Sequence, residues 1–206
     1  MAGMQVMWRS PSHPMPWNGA LGHGARGGCL TRRWLAPLPG EGTPLAMIRV
    51  APAGPADVLA LTKLLEEMDR FYGAAGGTSR DERMRQTAEA LFSDPAAAYV
   101  LLAWDGPRLV GMAAYSYLWP AVGRTRSLYL KELYVGESHR RGGVGRLLMR
   151  AVFETAGQRG CSRVEWTTDD GNAGAQAFYE TLGLPRRPSK VFYRVEDTGG
   201  GFQIRG

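Results

Sequence analysis

Residues 128–156 constrain the fold more than any other stretch. Leu128–Val135 (LYLKELYV) has strand character, a glycine- and arginine-rich turn follows at Arg141–Gly145, and Val144, Leu147, Leu148, Ala151, Val152 and Ala156 then recur at helical spacing. A strand joined to an amphipathic helix through so short a turn is the joint of a layered α/β fold. The glycines let backbone N–H groups turn toward an anion. The helix N-terminus adds about half a positive charge, and Arg140, Arg141 and Arg146 can hold phosphate by charged hydrogen bonds. Two familiar phosphate loops are excluded: no Lys-Ser/Thr pair closes the turn, and Leu148 stands where a dinucleotide fingerprint needs its third glycine.

The elements around this joint follow from the same periodicities. Met47–Ala51 is expected as a short strand, and Pro55 suits the first turn of a helix whose apolar face is Val58, Leu61, Leu64, Leu65, Met68 and Phe71. Gly73–Thr78 is a break. Ser79-Arg80-Asp81-Glu82 has the form of a capping box and opens a second helix. Ala98–Trp104 and Arg108–Tyr117 are expected as strands around an Asp105-Gly106 hairpin turn. After Gly160 come a strand at Ser162–Thr168, a helix capped by Asn172 with Ala175, Phe178, Tyr179 and Leu182 on one face, and a closing strand at Lys190–Val195. The expected architecture is α/β (α+β): a mixed central sheet of about six to seven strands flanked by helices, in the order βααβββαβαβ.

Residues 1–46 differ from the rest, with eight Gly, six Pro and one acidic residue, and they read as a flexible extension or a start assigned too early. The domain is expected over 47–196, with 197–206 as a flexible tail. Of the net charge of +6, the extension carries +3 (Arg9, Arg26, Arg32 and Arg33 against Glu41), so the body is only modestly basic and no nucleic-acid partner is expected. No apolar run reaches the ~20 residues that span a bilayer. Cys29 and Cys161 form no C-x-x-C pattern, which points to no metal site and fits a reducing cytoplasm.

Two motifs carry a resemblance. Arg140-Arg141-Gly142-Gly143-Val144-Gly145 matches [RQ]-x-x-G-x-[GA], and Asn172–Gly183 matches N-x-x-A-x-x-F-Y-E-x-x-G. Together they resemble the GNAT N-acetyltransferases over about Met47 to Val195, with Leu130–Val135 nearest in look to the polyamine (spermidine/spermine-type) branch. The resemblance implies acetyl-CoA as cosubstrate, held by the turn (Arg140, Arg141, Gly142, Gly143, Val144, Gly145, Arg146), by Asn172, and by strand backbone at Leu133, Tyr134 and Val135. It implies direct attack by an amine, with Glu132 as base and Tyr179 as the acid that protonates the departing thiolate. It also implies strands splayed at 128–135 and 162–168. Lys131 departs from the branch, which usually has an acid there. Small-molecule amines are the expected acceptors; a protein N-terminus, an aminoacyl-tRNA, or a non-catalytic CoA-binding module are the alternatives. The family's members are often dimers, so a homodimer is left open. His139 reads as a neighbour of the turn rather than a base, and Glu66, Glu67 and Asp69 as a wet helix face or a lure for cations.

Overall fold

The computed structural model describes residues 48–74, 77–184, 186–187 and 190–195. Nine elements lie in chain order: β1 (Ile48–Pro52), α1 (Val58–Phe71), α2 (Arg80–Phe92), β2 (Tyr99–Asp105), β3 (Arg108–Leu118), β4 (Arg126–Val135), α3 (Val144–Gln158), β5 (Cys161–Glu165) and α4 (Ala173–Thr181). The strands form one sheet in the order β1-β2-β3-β4-β5. The first four are antiparallel neighbours and β5 runs parallel to β4, as a strand reached through a crossover helix must.

The local chemistry that marks each element in the sequence is present. Pro55 opens a single 3₁₀ turn, Pro55–Asp57, in which the Gly54 N–H donates to Asp57 Oδ2 at 2.8 Å, and α1 continues from it. Ser79 Oγ accepts from the Glu82 N–H at 3.3 Å and caps α2. Gly106 takes φ +54 in the β2–β3 hairpin.

Both faces of the sheet are covered. On one, Leu148, Met149 and Val152 of α3 pack on Leu101, Ala103, Ala113, Leu128 and Leu130. On the other, Leu61 and Leu64 of α1 pack on Val100, Leu102, Met112 and Tyr134. β2 is buried from both sides, which explains its unbroken apolar run Val100–Ala103 rather than an alternating one.

Two irregularities shape β4. Ala114 pairs with Glu132 and Tyr115 with Leu130, so Lys131 is an extra residue, a β-bulge. Side chains alternate along a strand, and one extra residue reverses their sense. Leu128 and Leu130 face α3, whereas beyond the bulge it is Tyr134 that packs against α1. Glu132, two residues from Tyr134, is thereby turned toward α1. The second irregularity is on the other edge. Pairing with β5 runs from Arg126 to Tyr129 and stops where β5 ends at Glu165, while β4 continues to Val135. The two strands part there, as expected.

The described residues hold five strands, fewer than expected. Lys190–Val195 has no secondary structure, and Val191 and Tyr193 are 73% and 87% exposed. An apolar run gives strand propensity, but a strand exists only as a paired ladder. The polar, exposed Ser162 and Arg163 of β5 give it little to bury against. Met47, the extension 1–46 and the tail 197–206 lie outside the described residues.

Candidate functional site

The parted edge of β4, the arginine–glycine turn and α4 meet in one region. Gly136 to Arg140 forms a short 3₁₀ turn, after which Arg141 (φ +64) and Gly143 (φ +80) take left-handed backbone on either side of Gly142. Successive N–H groups in such a turn converge into an anion-binding concavity. Gly143 is the N-cap of α3 and has no side chain to cap it, unlike Ser79 at α2 and Asn172 at α4. The first-turn N–H groups of α3 have no intrahelical partner and remain available to a ligand oxygen.

The positions of the glycine turn are not equivalent. Gly143 takes a positive φ that glycine adopts without strain. Gly145 is packed closely, since a Cβ there would lie 3.2 Å from Phe178 Cζ, tighter than ordinary van der Waals contact. Its absence lets α4 close onto the start of α3, and Val144, 3% exposed, anchors the same junction in the core. Arg141 is exposed and Arg146 half-buried at the helix start.

Arg140 is placed otherwise. Its Nε donates to the Val135 carbonyl at 3.0 Å, and its guanidinium lies 4.2 Å from the Phe71 ring centroid and 5.6 Å from that of Tyr134. It therefore ties the turn to the end of α1. Phe71 is 56% exposed and serves as a platform for Arg140 rather than as the core residue that its helical spacing suggests. Nearby, Glu67 Oε1 accepts from Tyr134 Oη at 3.1 Å and from the Glu137 N–H at 3.3 Å, holding α1 against the strand-to-turn junction. Glu67 is thus a structural clasp. Glu66 is ion-paired with Arg80 and Arg83 at 3.2 and 3.4 Å.

Glu132 is half-buried, and burial raises its pKa above the ordinary carboxylate value; hydrogen bonds from Tyr72 and the Leu133 N–H, with Lys131 nearby, oppose the rise. The Tyr72 hydroxyl donates to Glu132 Oε1 at 3.3 Å. Tyr179, on α4, has its phenol pushed up to about 12 by burial, with Glu132 and Tyr72 adding to the rise. Three titrating groups from α1, β4 and α4 therefore feel one another across the end of the parted strands. Tyr179 is steadied by ring contacts with Trp166 (5.1 Å) and Phe178 (5.2 Å). Asn172 Oδ1 accepts from the Ala175 N–H at 2.9 Å, and its side chain is occupied as the cap of α4.

Leu133 and Val135 are half-buried and face the α3 core, while Tyr134 is buried against α1. Their backbone lies on the stretch of β4 beyond the last β5 pair. His139 bonds Ser138 Oγ at 2.9 Å and Asp105 Oδ2 at 3.2 Å, a surface tie away from Glu132. Sequence reasoning missed Tyr72. Its one signal is position, since it ends α1 immediately before Gly73, whose φ is +75.

Comparison with known proteins settles the class. Residues 61–184, more than half of the chain, match the model of the acetyltransferase (GNAT) family. The chain belongs to this family. Like its GNAT relatives, it is an N-acetyltransferase. It is 31% identical to the D-amino-acid N-acetyltransferase of Saccharomyces cerevisiae over 143 residues, covering 68% of this chain and 85% of that protein. It is 28% identical to the thialysine N-ε-acetyltransferase of Bos taurus over 141 residues, covering 66% and 82%. A 33% match to the L-ornithine N5-acetyltransferase of Arabidopsis thaliana is shorter, spanning 36% of this chain and 33% of that protein. Among solved structures, an integron cassette protein of V. cholerae superposes with a TM-score of 0.69 at 26% identity, over 74% of this chain and 94% of that one. These matches bear out the GNAT resemblance and the mixed α/β sheet.

Proposed function

We propose that this GNAT protein transfers the acetyl group of acetyl-CoA to the amine of a small molecule, by direct attack of the amine on the thioester. The observation that carries the proposal is the convergence of a half-buried carboxylate, Glu132, and a half-buried phenol, Tyr179, at the open end of the β4–β5 gap. The relatives named for thialysine, ornithine and D-amino acids support a small acceptor.

The residues divide the work by chemistry. The turn from Arg141 to Arg146 offers backbone N–H groups, the α3 dipole and two guanidinium groups to the diphosphate of acetyl-CoA. The free edge of β4 at Leu133–Val135 offers backbone groups to the pantetheine amides, as one strand does to another. An alkyl ammonium has a pKa of about 10.4 and must lose a proton before it can attack. Glu132 accepts that proton, and its raised pKa makes it a stronger base than an exposed glutamate. As the tetrahedral intermediate collapses, the nitrogen–carbon bond is retained and the carbon–sulfur bond breaks. Tyr179 protonates the departing sulfur, the second proton of the nitrogen makes good the one Tyr179 has given, and the proton held by Glu132 leaves to solvent. With a pKa near 12, Tyr179 stays protonated throughout the working range and depends on positioning rather than acidity.

The test is thiol release from acetyl-CoA with a panel of small amines that includes lysine-like and D-amino acids. Release that depends on the amine supports the proposal. Binding of acetyl-CoA without turnover on any amine would replace it with a non-catalytic CoA-binding role.

A further inference from the structure

Glu132 has a partner that neither motif contains. We infer that Tyr72 is the positioning residue for Glu132: from the end of α1 it fixes the carboxylate at the open end of the β4–β5 gap and sets its readiness to take the acceptor's proton. The inference rests on the acetyltransfer reading above, and its test separates the two.

The geometry begins with the bulge at Lys131, which turns Glu132 from the α3 face to the α1 face. There the Tyr72 hydroxyl, 60 residues earlier in sequence, donates to Oε1 at 3.3 Å. Tyr72 is the C-cap of α1, held by backbone N–H bonds to Met68 and Arg70 carbonyls, so its Cα is set by the helix rather than by the connection beginning at Gly73. Its ring packs edge-on against Phe71 at 5.2 Å, and Phe71 carries the Arg140 guanidinium. A chain of contacts thus runs from the arginine–glycine turn through Arg140 and Phe71 to Tyr72 and Glu132. Despite these ties Tyr72 remains 55% exposed.

The electrostatics agree with that geometry. A carboxylate accepting a hydrogen bond is favoured in its charged form, so Tyr72 draws the Glu132 pKa down against the upward pull of burial. In return, burial first and then the Glu132 carboxylate raise the Tyr72 phenol, which keeps it a protonated donor. The other groups facing the pair are Lys131 on β4, Tyr179 on α4, and Tyr134 and Arg140 on the far side of Tyr72. Arg140 opposes the rise at Tyr72 and Tyr134 adds to it.

Tyr72→Phe removes the hydroxyl and keeps the ring contact, so the fold is expected to survive. The experiment measures kcat/KM against pH for wild type, Y72F and E132Q in the full chain. In parallel it titrates the Glu132 carboxyl by NMR in protein labelled at glutamate side-chain carbons, with E132Q providing the assignment. In Y72F the acid limb of the profile and the Glu132 titration should both move to higher pH. Turnover at neutral pH should fall about tenfold, less than the roughly 10²-fold or more expected for loss of the base itself, with KM for acetyl-CoA unchanged. An unmoved Glu132 titration in Y72F overturns the inference, as does a profile that keeps its limb while only KM or thermal stability changes. If the carboxyl titration moves but no amine supports turnover, the positioning role stands and the acetyltransfer reading fails. If E132Q retains the wild-type limb, Glu132 is not the base and the inference falls with it.

Discussion

Tyr179 and Glu132 are asked to do opposite things, and their surroundings suit the division. Glu132 must be ionised to accept a proton, so activity should rise with pH through its pKa. Since burial raises that pKa, the acid limb of kcat/KM is expected above the range of an exposed glutamate, and it should vanish in Glu132→Gln. Tyr179 must be protonated to give a proton, and with its phenol near 12 it imposes no alkaline limb below the ionisation of the amine itself. Tyr179→Phe is expected to lower kcat about 10²-fold, within the usual range for loss of a general acid. The dissociation constant for acetyl-CoA should be unchanged, because no phosphate-binding group is touched. Calorimetry beside steady-state kinetics checks both halves.

The elements were more legible in the sequence than the contacts between them. Capping and turn residues act within a few positions, so Ser79, Asn172 and Asp105-Gly106 marked their elements directly, the motif match pointed to Tyr179, and the place of Glu132 on the strand before the turn pointed to it. Three features depend on tertiary neighbours and left no comparable mark. The bulge at Lys131 is defined only by its pairing with Ala114 and Tyr115 on β3. Tyr72 meets Glu132 across 60 residues. The apolar run at Val191–Val195 looks like a strand but finds no ladder among the described residues. Gly145 shows the same division within one motif. The pattern reads it as part of a phosphate turn, whereas its surroundings make it the contact point of α3 with α4. Gly145→Ala gains helix propensity of about 1 kcal/mol. It also places a methyl 3.2 Å from Phe178, and overpacking of this kind costs about 1–3 kcal/mol. Because Phe178 is neighbour to Tyr179, the expected outcome is a small loss of thermal stability with a disproportionate loss of kcat. Thermal melts and kinetics on the same preparation decide it. An equal loss in both would mean that the methyl only loosens the fold.

At the scale of the whole molecule, the sheet is continuous from β1 to the first half of β4 and then divides. The second half of β4 is held from one side by β3 and α1, while β5 and α4 belong to the other side of the gap. A ligand that grips the turn at the head of α3 and lies along the free edge of β4 bridges the two parts, and it has no counterpart site in the unfolded chain. Acetyl-CoA at a hundred times its dissociation constant should therefore stabilise the fold by about 2.7 kcal/mol. For a domain of this size that is a rise in Tm of roughly 5–10 °C. Gly143→Asp separates ligand effect from fold effect. Residue 143 stands at φ +80, which aspartate tolerates better than most side chains, and a carboxylate at a helix N-terminus is favourable to the helix. The same carboxylate repels a diphosphate. The variant should melt close to wild type in the absence of ligand and show no rise with acetyl-CoA, whereas Tyr179→Phe should keep the full rise. A Gly143→Asp protein that is still stabilised by acetyl-CoA would move the phosphate site away from the turn.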